Sequence, residues 1–296
     1  MAEKQIYIFT NEIDEVELIS LGAKITVAST DENTFTAEYD NPKDRPEFCA
    51  VLIGRKLTLK ETLGFHLFFN KPEGDNYAIT VKLPKKLYKR LKISTTSGGV
   101  DITDSGVTAE SFSLSTASGE INIGAFFENI KVNTASGDIK LRNPLEDKLA
   151  QSVSISAVSG DITIENYRAE KFSVTSVSGK TAYTGASGAG NIHVTSGQVD
   201  VDYKEWNGDL KIGAVSGNVN INLPKDGGAN IKFDGVSGTV KTDLNGQGEY
   251  MNLGKGTNGE FGGENRHNIS INLVSGTVKV SRSDGTIPTE LVEEKA

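Results

Sequence analysis

The stretch Ile130-Lys131-Val132-Asn133-Thr134-Ala135-Ser136-Gly137-Asp138-Ile139-Lys140-Leu141 returns 23 residues later as Val153-Ser154-Ile155-Ser156-Ala157-Val158-Ser159-Gly160-Asp161-Ile162-Thr163-Ile164. In both, apolar and polar residues alternate up to a Ser-Gly pair, and the alternation resumes three residues past the Ser. A period of two marks a strand with one buried and one wet face, so each stretch reads as strand, corner, strand. A corner needs positive φ or close backbone approach, which Gly accepts at little cost. The Ser can hydrogen-bond the turn or a stacked copy of itself.

The unit recurs along most of the chain. Its corners are Ser97-Gly98, Ser118-Gly119, Ser136-Gly137, Ser159-Gly160, Ser178-Gly179, Ser196-Gly197, Ser216-Gly217, Ser237-Gly238 and Ser275-Gly276, at steps of 21, 18, 23, 19, 18, 20, 21 and 38 residues. Four residues before each Ser the side chain is always apolar, from Ile93 and Leu114 to Phe233 and Ile271, and five before it is always polar. The residue just before the Ser (Thr96, Ala117, Ala135, Val158, Val177, Val215, Val236, Val274) is expected to turn inward. A unit of this size cannot bury a core alone, so the units must stack. Antiparallel hairpins would place turn signals every ~8–12 residues, whereas here one strong corner recurs about every 20. The expected fold is therefore all-β, a single-stranded parallel β-solenoid with about 20 residues per coil. An antiparallel β-sandwich is the alternative. About ten to thirteen coils spaced ~4.8 Å apart would make a rod ~50–60 Å long.

Around this repeat the pattern loosens. Residues 1–90 alternate without the Ser-Gly mark and are expected to form irregular coils closing the N-terminal end. Arg142 to Gln151 is a charged insertion, and Gly-rich Asn245 to His267 fills the 38-residue step, as a decayed coil with a large loop would. Lys85 to Lys92 and Leu145 to Gln151 each have room for a single helical turn. Leu83-Pro84-Lys85 precedes Ser97 by the same distance as Leu223-Pro224-Lys225 precedes Ser237, which favours one solenoid domain over residues 1–282. Residues 283–296 read as a frayed acidic tail.

A net charge of −8 over 296 residues argues against nucleic acid as the main partner. Cys49 is the only cysteine; no internal disulfide is possible, and it reads as a small core residue. Met1 to Thr10 lacks the basic and apolar regions of a secretion signal, and no run approaches the ~18 apolar residues of a membrane helix. The chain reads as cytoplasmic as written, with the cell surface or envelope open to a longer form carrying an export signal.

Candidate chemistry is sparse. Asp138 and Asp161 occupy the same repeat position and are candidates to share a cation. The calcium-solenoid repeat Gly-Gly-x-Gly-x-Asp is missing, however, so solvated carboxylates beside a turn are the simpler reading. His66, His193 and His267 have no zinc spacing. Asp200 and Asp202 with Lys204, and Glu165 with Arg168, are the nearest approach to the clustered charges of a polysaccharide-cleaving β-helix, against a plain solvated face. Tyr167, Tyr203 and Trp206 follow strands in nearby coils and are candidate platforms for a sugar ring, against a role covering the core at a corner. Nothing calls for a cofactor or a metal.

The Ser-Gly-Asp-Ile units (Ser136 to Ile139, Ser159 to Ile162), the Leu-Pro elements, and Phe261-Gly262-Gly263 ahead of Val274-Ser275-Gly276 together resemble a bacterial family of β-strand-repeat proteins known as “putative adhesins”. The resemblance covers nearly the whole chain and is weakest before residue 90. It implies a β-solenoid-like fold, a domain of unknown function and frequent association with the cell envelope, and it carries over no catalytic residues. The leading functional expectation is a non-enzymatic binding or scaffold module with a protein or glycan partner. A cytosolic regulatory or stress-response protein acting through protein contacts comes second, and a polysaccharide-active enzyme last.

Overall fold

The computed structural model describes residues 3–41, 47–62, 77–145, 147–244, 251–253, 255–256 and 258–282. These form two sheets of 14 and 13 strands, and none of the described residues is helical. In the body of the molecule each coil gives one strand to each sheet, and like positions pair in parallel. Phe112 stands between Leu91 and Ile130 in the second sheet, and Ile121 between Val100 and Ile139 in the first. This is the expected parallel β-solenoid; parallel pairing through the body excludes the antiparallel sandwich.

The alternation explains the core. Leu114, Val132, Ile155, Val174 and Ile192 form one buried column of the second sheet, facing a column of Ile121, Ile139 and Ile162 in the first. Burying each such side chain is worth ~1.5–3 kcal/mol, and only the neighbouring coils can cover it. One continuous apolar cluster links the described coils from Ile13 to Val280.

Both ends break the order in the same way. Asn265–Leu273 lies between Leu210–Ala214 and Gly227–Gly235, and Thr277–Arg282 lies between Asn218–Leu223 and Thr239–Thr242. The final coil is thus inserted below the one that precedes it in sequence. Asn258–Gly262 and Met251–Leu253 run antiparallel on the outside. The expected decayed coil at Asn245 to His267 is therefore corrected. No level of the stack is missing there, because the chain doubles back over the end before laying down its last coil.

At the other end Glu15–Ser20 is inserted between Lys56–Thr62 and Leu87–Thr95, and Lys24–Thr30 between Ala78–Pro84 and Val100–Ile102. The two Leu-Pro elements mark these insertions. After Pro84, and again after Leu223, the chain steps across two levels instead of one. Proline has no N–H to give a ladder, so it ends the strand where the chain must leave its neighbours. Lys85 to Lys92 is not a helical turn: Leu87–Thr95 is a strand locked between two parallel partners. No helix among the described residues is long and apolar enough to cross a membrane.

Candidate functional site

The Ser-Gly corners stack into a polar seam. The backbone N–H and Oγ of Ser136 both donate to the carbonyl of Ala117, at 2.9 and 3.3 Å. Ser159, Ser178, Ser196, Ser216, Ser275 and Ser237 repeat this one coil further along. Inside the corner, Thr95, Thr116 and Thr134 donate their hydroxyls to the carbonyls of Ser97, Ser118 and Ser136. These hydroxyls satisfy carbonyls that the turn would leave unpaired, which is why the column is polar although buried. The hydroxyls of the serines just named are engaged with backbone.

The residue before each Ser does not turn inward. Thr95, Thr116, Thr134 and Ala157, one position earlier, are buried. Period-two alternation therefore continues into the corner and sends the next residue out. Val158, Val177, Val215, Val274 and Val236 form an exposed ridge interrupted by Thr195, from 39% exposed at Val177 to 75% at Val236. A hollow of about 290 Å³ lies beside Val215, lined by His193, Gly213 and Asn272. A second, of about 280 Å³, lies beside Val236 and Val274.

Tyr167, Tyr203 and Trp206 are buried, so the expected sugar platform is corrected. The Tyr167 hydroxyl accepts the Phe127 N–H at 2.7 Å, and Trp206 Nε1 donates to the Gly228 carbonyl at 2.7 Å. Tyr203 meets Trp206 edge-on at 4.8 Å, and Trp206 meets His267 at 5.6 Å. Burial raises the phenol pKa of Tyr167 and of Tyr203 above the usual tyrosine value. Alternation already held the clue for Tyr203, which lies on the face of Val199 and Val201.

The carboxylates are also engaged. Asp138 Oδ1 accepts the N–H of Asp161 at 2.9 Å, and Asp161 Oδ1 accepts that of Lys180 at 2.8 Å. Each side chain caps the backbone of the next coil. Asp200 accepts from the amides of Gln198 and Asn220, and Asp202 from that of Asn222, which in turn accepts from Ser281. Arg168 pairs with Glu205 at 2.6 Å, not with Glu165. Among the described residues no group of three or more His, Cys, Asp or Glu is placed to hold a metal ion. His66 and residues 283–296 lie outside the described residues.

A groove of about 590 Å³ lies on the outer face of the first sheet. Asn122, Lys140 and Thr163 occupy one column across three adjacent strands and form its floor. Arg142, Glu165 and Pro144 border it. Asn143, between Arg142 and Pro144, holds this border in place. The buried Asn143 takes the Leu145 N–H at 2.9 Å, donates to the Lys148 carbonyl at 3.3 Å and bonds its own N–H to Glu165 O. Lys140 pairs with Glu120 at 3.3 Å, whereas Arg142 has no ion pair among the described residues. The groove thus offers an amide, a hydroxyl, an ammonium, a guanidinium and a carboxylate along an extended track. The irregular 23-residue step was its sequence signal.

No curated protein matches the chain. Among solved structures, a “putative lipid binding protein” from Parabacteroides distasonis is similar at 12% identity and a TM-score of 0.51, over 94% of this chain and 96% of that one. A “putative adhesin” from Bacteroides fragilis is similar at 12% identity and a TM-score of 0.44, over 94% and 97%. Another, from Parabacteroides distasonis, has 14% identity and a TM-score of 0.44, over 94% and 97%. At such identities only a fold is shared, and only the first score is high enough to bear on it. The model of one family, described as Toastrack DUF4097, matches residues 13–281, the inserted coils of both ends included, and the chain belongs to that family.

Proposed function

We propose that this protein is a non-enzymatic binding module of the cell envelope that holds an extended glycan in the groove over Asn122, Lys140 and Thr163. The observation that carries the reading is the groove itself: a track of about 590 Å³ lined with hydrogen-bonding and charged side chains, with Arg142 free of any described ion pair. Sugar hydroxyls suit Asn122 and Thr163, and an acidic sugar suits Arg142, whose planar fork can take a carboxylate in two parallel bonds. The “lipid binding” name of the similar Parabacteroides distasonis structure supports a binding role in general terms. The test is retention of the purified chain on envelope polysaccharide, followed by titration. Lys140→Ala with Arg142→Ala should weaken binding by about tenfold or more. Unchanged binding would remove the groove from the reading, and no retention on any envelope fraction would overturn it.

The exposed valine ridge favours a second reading, an intracellular module acting through protein contacts. Protease shaving of intact cells separates the two. Loss of the protein supports the envelope reading, and full protection until lysis supports the intracellular one.

A further inference from the structure

The two ends of the stack are finished differently. At the C-terminal end the outermost strands are the three-residue Met251–Leu253 and Asn258–Gly262, which carries two glycines and exposed Asn258 and Glu260. Short, glycine-rich or charged edges resist further pairing. At the N-terminal end the outermost strands are Glu3–Phe9 in the first sheet and Glu47–Ile53 in the second, seven residues each. Neither has a described partner on its outer edge. Their outward side chains include Ile6, Ile8, Val51 and Ile53, all exposed. Their inward ones include Tyr7, Phe9, Ala50 and Leu52, which pack on the core but are only partly covered. Tyr7 hydroxyl donates to the Phe48 carbonyl at 2.8 Å, tying one edge strand to the other across the core.

We propose that this end docks on the same end of a second copy, both edge strands pairing antiparallel about one two-fold axis. The geometry of the two edges supports it. Tyr7, on the edge of the first sheet, reaches the Phe48 carbonyl on the edge of the second, and the two rings meet at 5.7 Å, so the edges face each other across the end of the core and one two-fold axis can pass through both. A second copy is the partner whose two edges have the same spacing and the same partly covered core. Seven residues span ~24 Å, and two sheets ~10 Å apart with their outer side chains are about 20 Å deep. The contact would therefore bury about 1,000 Å² in total, near the minimum for a specific interface. The contact is isologous and the far ends are blunted, so assembly closes at a dimer.

Sedimentation of the full chain across the micromolar range tests this. The expected result is a monomer–dimer equilibrium that Ile8→Lys with Ile53→Lys weakens by about a hundredfold or more, because charges replace apolar contacts that lose their water. Both positions are exposed, so the monomer's melting temperature should not change. A chain monomeric throughout, an association that survives the double variant, or one lost instead in Val215→Lys on the ridge would each overturn the proposal. A lowered melting temperature of the monomeric double variant would also overturn it, since the chain's own residues would then be what covers the end.

Discussion

At the residue scale, the repeat Gly answers to two demands that separate experimentally. Gly137 has φ of 116°, and a Cβ there would stand 2.3 Å from the Gly119 carbonyl oxygen in the coil below. Gly54 also has positive φ, 61°, but a Cβ there meets nothing within 4 Å. Left-handed backbone costs an ordinary residue ~1–2 kcal/mol. Gly54→Ala should therefore lower stability by about 1 kcal/mol. Gly137→Ala should cost clearly more, since a backbone oxygen cannot be moved aside like a side chain. Denaturant melts of both variants check this. Equal losses would mean that coil-to-coil contact adds nothing to the choice of Gly.

At the element scale, the inserted last coil is the piece on which the C-terminal end rests. Gly227–Gly235 and Thr239–Thr242 join the two sheets by pairing with Asn265–Leu273 and Thr277–Arg282. Asp209 pins the insertion by accepting the N–H of Asn268 at 2.8 Å and its side-chain amide at 3.1 Å. A chain ended after Gly263 should lose hydrogen-exchange protection throughout 227–242, while the body from Leu87 to Arg142 stays protected. Retained protection in 227–235 would show that this coil can restack directly on Leu210–Ala214.

At the scale of the whole molecule, the carboxylates of the two ends set the response to acid. Hydrogen bonds from Lys56 and Lys92, which flank it on both sides, hold Glu17 below the usual glutamate value. The N–H and side-chain amide of Asn268 hold Asp209 below the usual aspartate value. A carboxylate depressed in the folded state contributes stability above its unfolded pKa, and that contribution is lost as pH falls through the folded one. Melting temperature should therefore be flat above about pH 5 and fall below about pH 4, where both groups become protonated. Glu17→Gln with Asp209→Asn should shallow that fall, and a slope unchanged by the pair would assign acid sensitivity to other groups.

Local patterning reached far along this chain. Period-two alternation and the Ser-Gly spacing were enough for strand, corner, parallel stack and coil length, because in a solenoid each residue's surroundings are its own column repeated. Alternation also carries the inward direction of Tyr203 and the outward direction of the valines, because it continues into the corner instead of stopping there. Tertiary structure alone decided the order of coils at the ends. Ser275 stacks on the Ser216 coil and Ser237 on the Ser275 coil, yet nothing local distinguishes that from sequential stacking, since any coil presents nearly the same edge to any other. The repeat itself puts Asn122, Lys140 and Thr163 in one column, four residues past three successive corner serines, and the 23-residue step marks the insertion; tertiary structure decided that Arg142 and Pro144 of the insertion border that column and make it a groove.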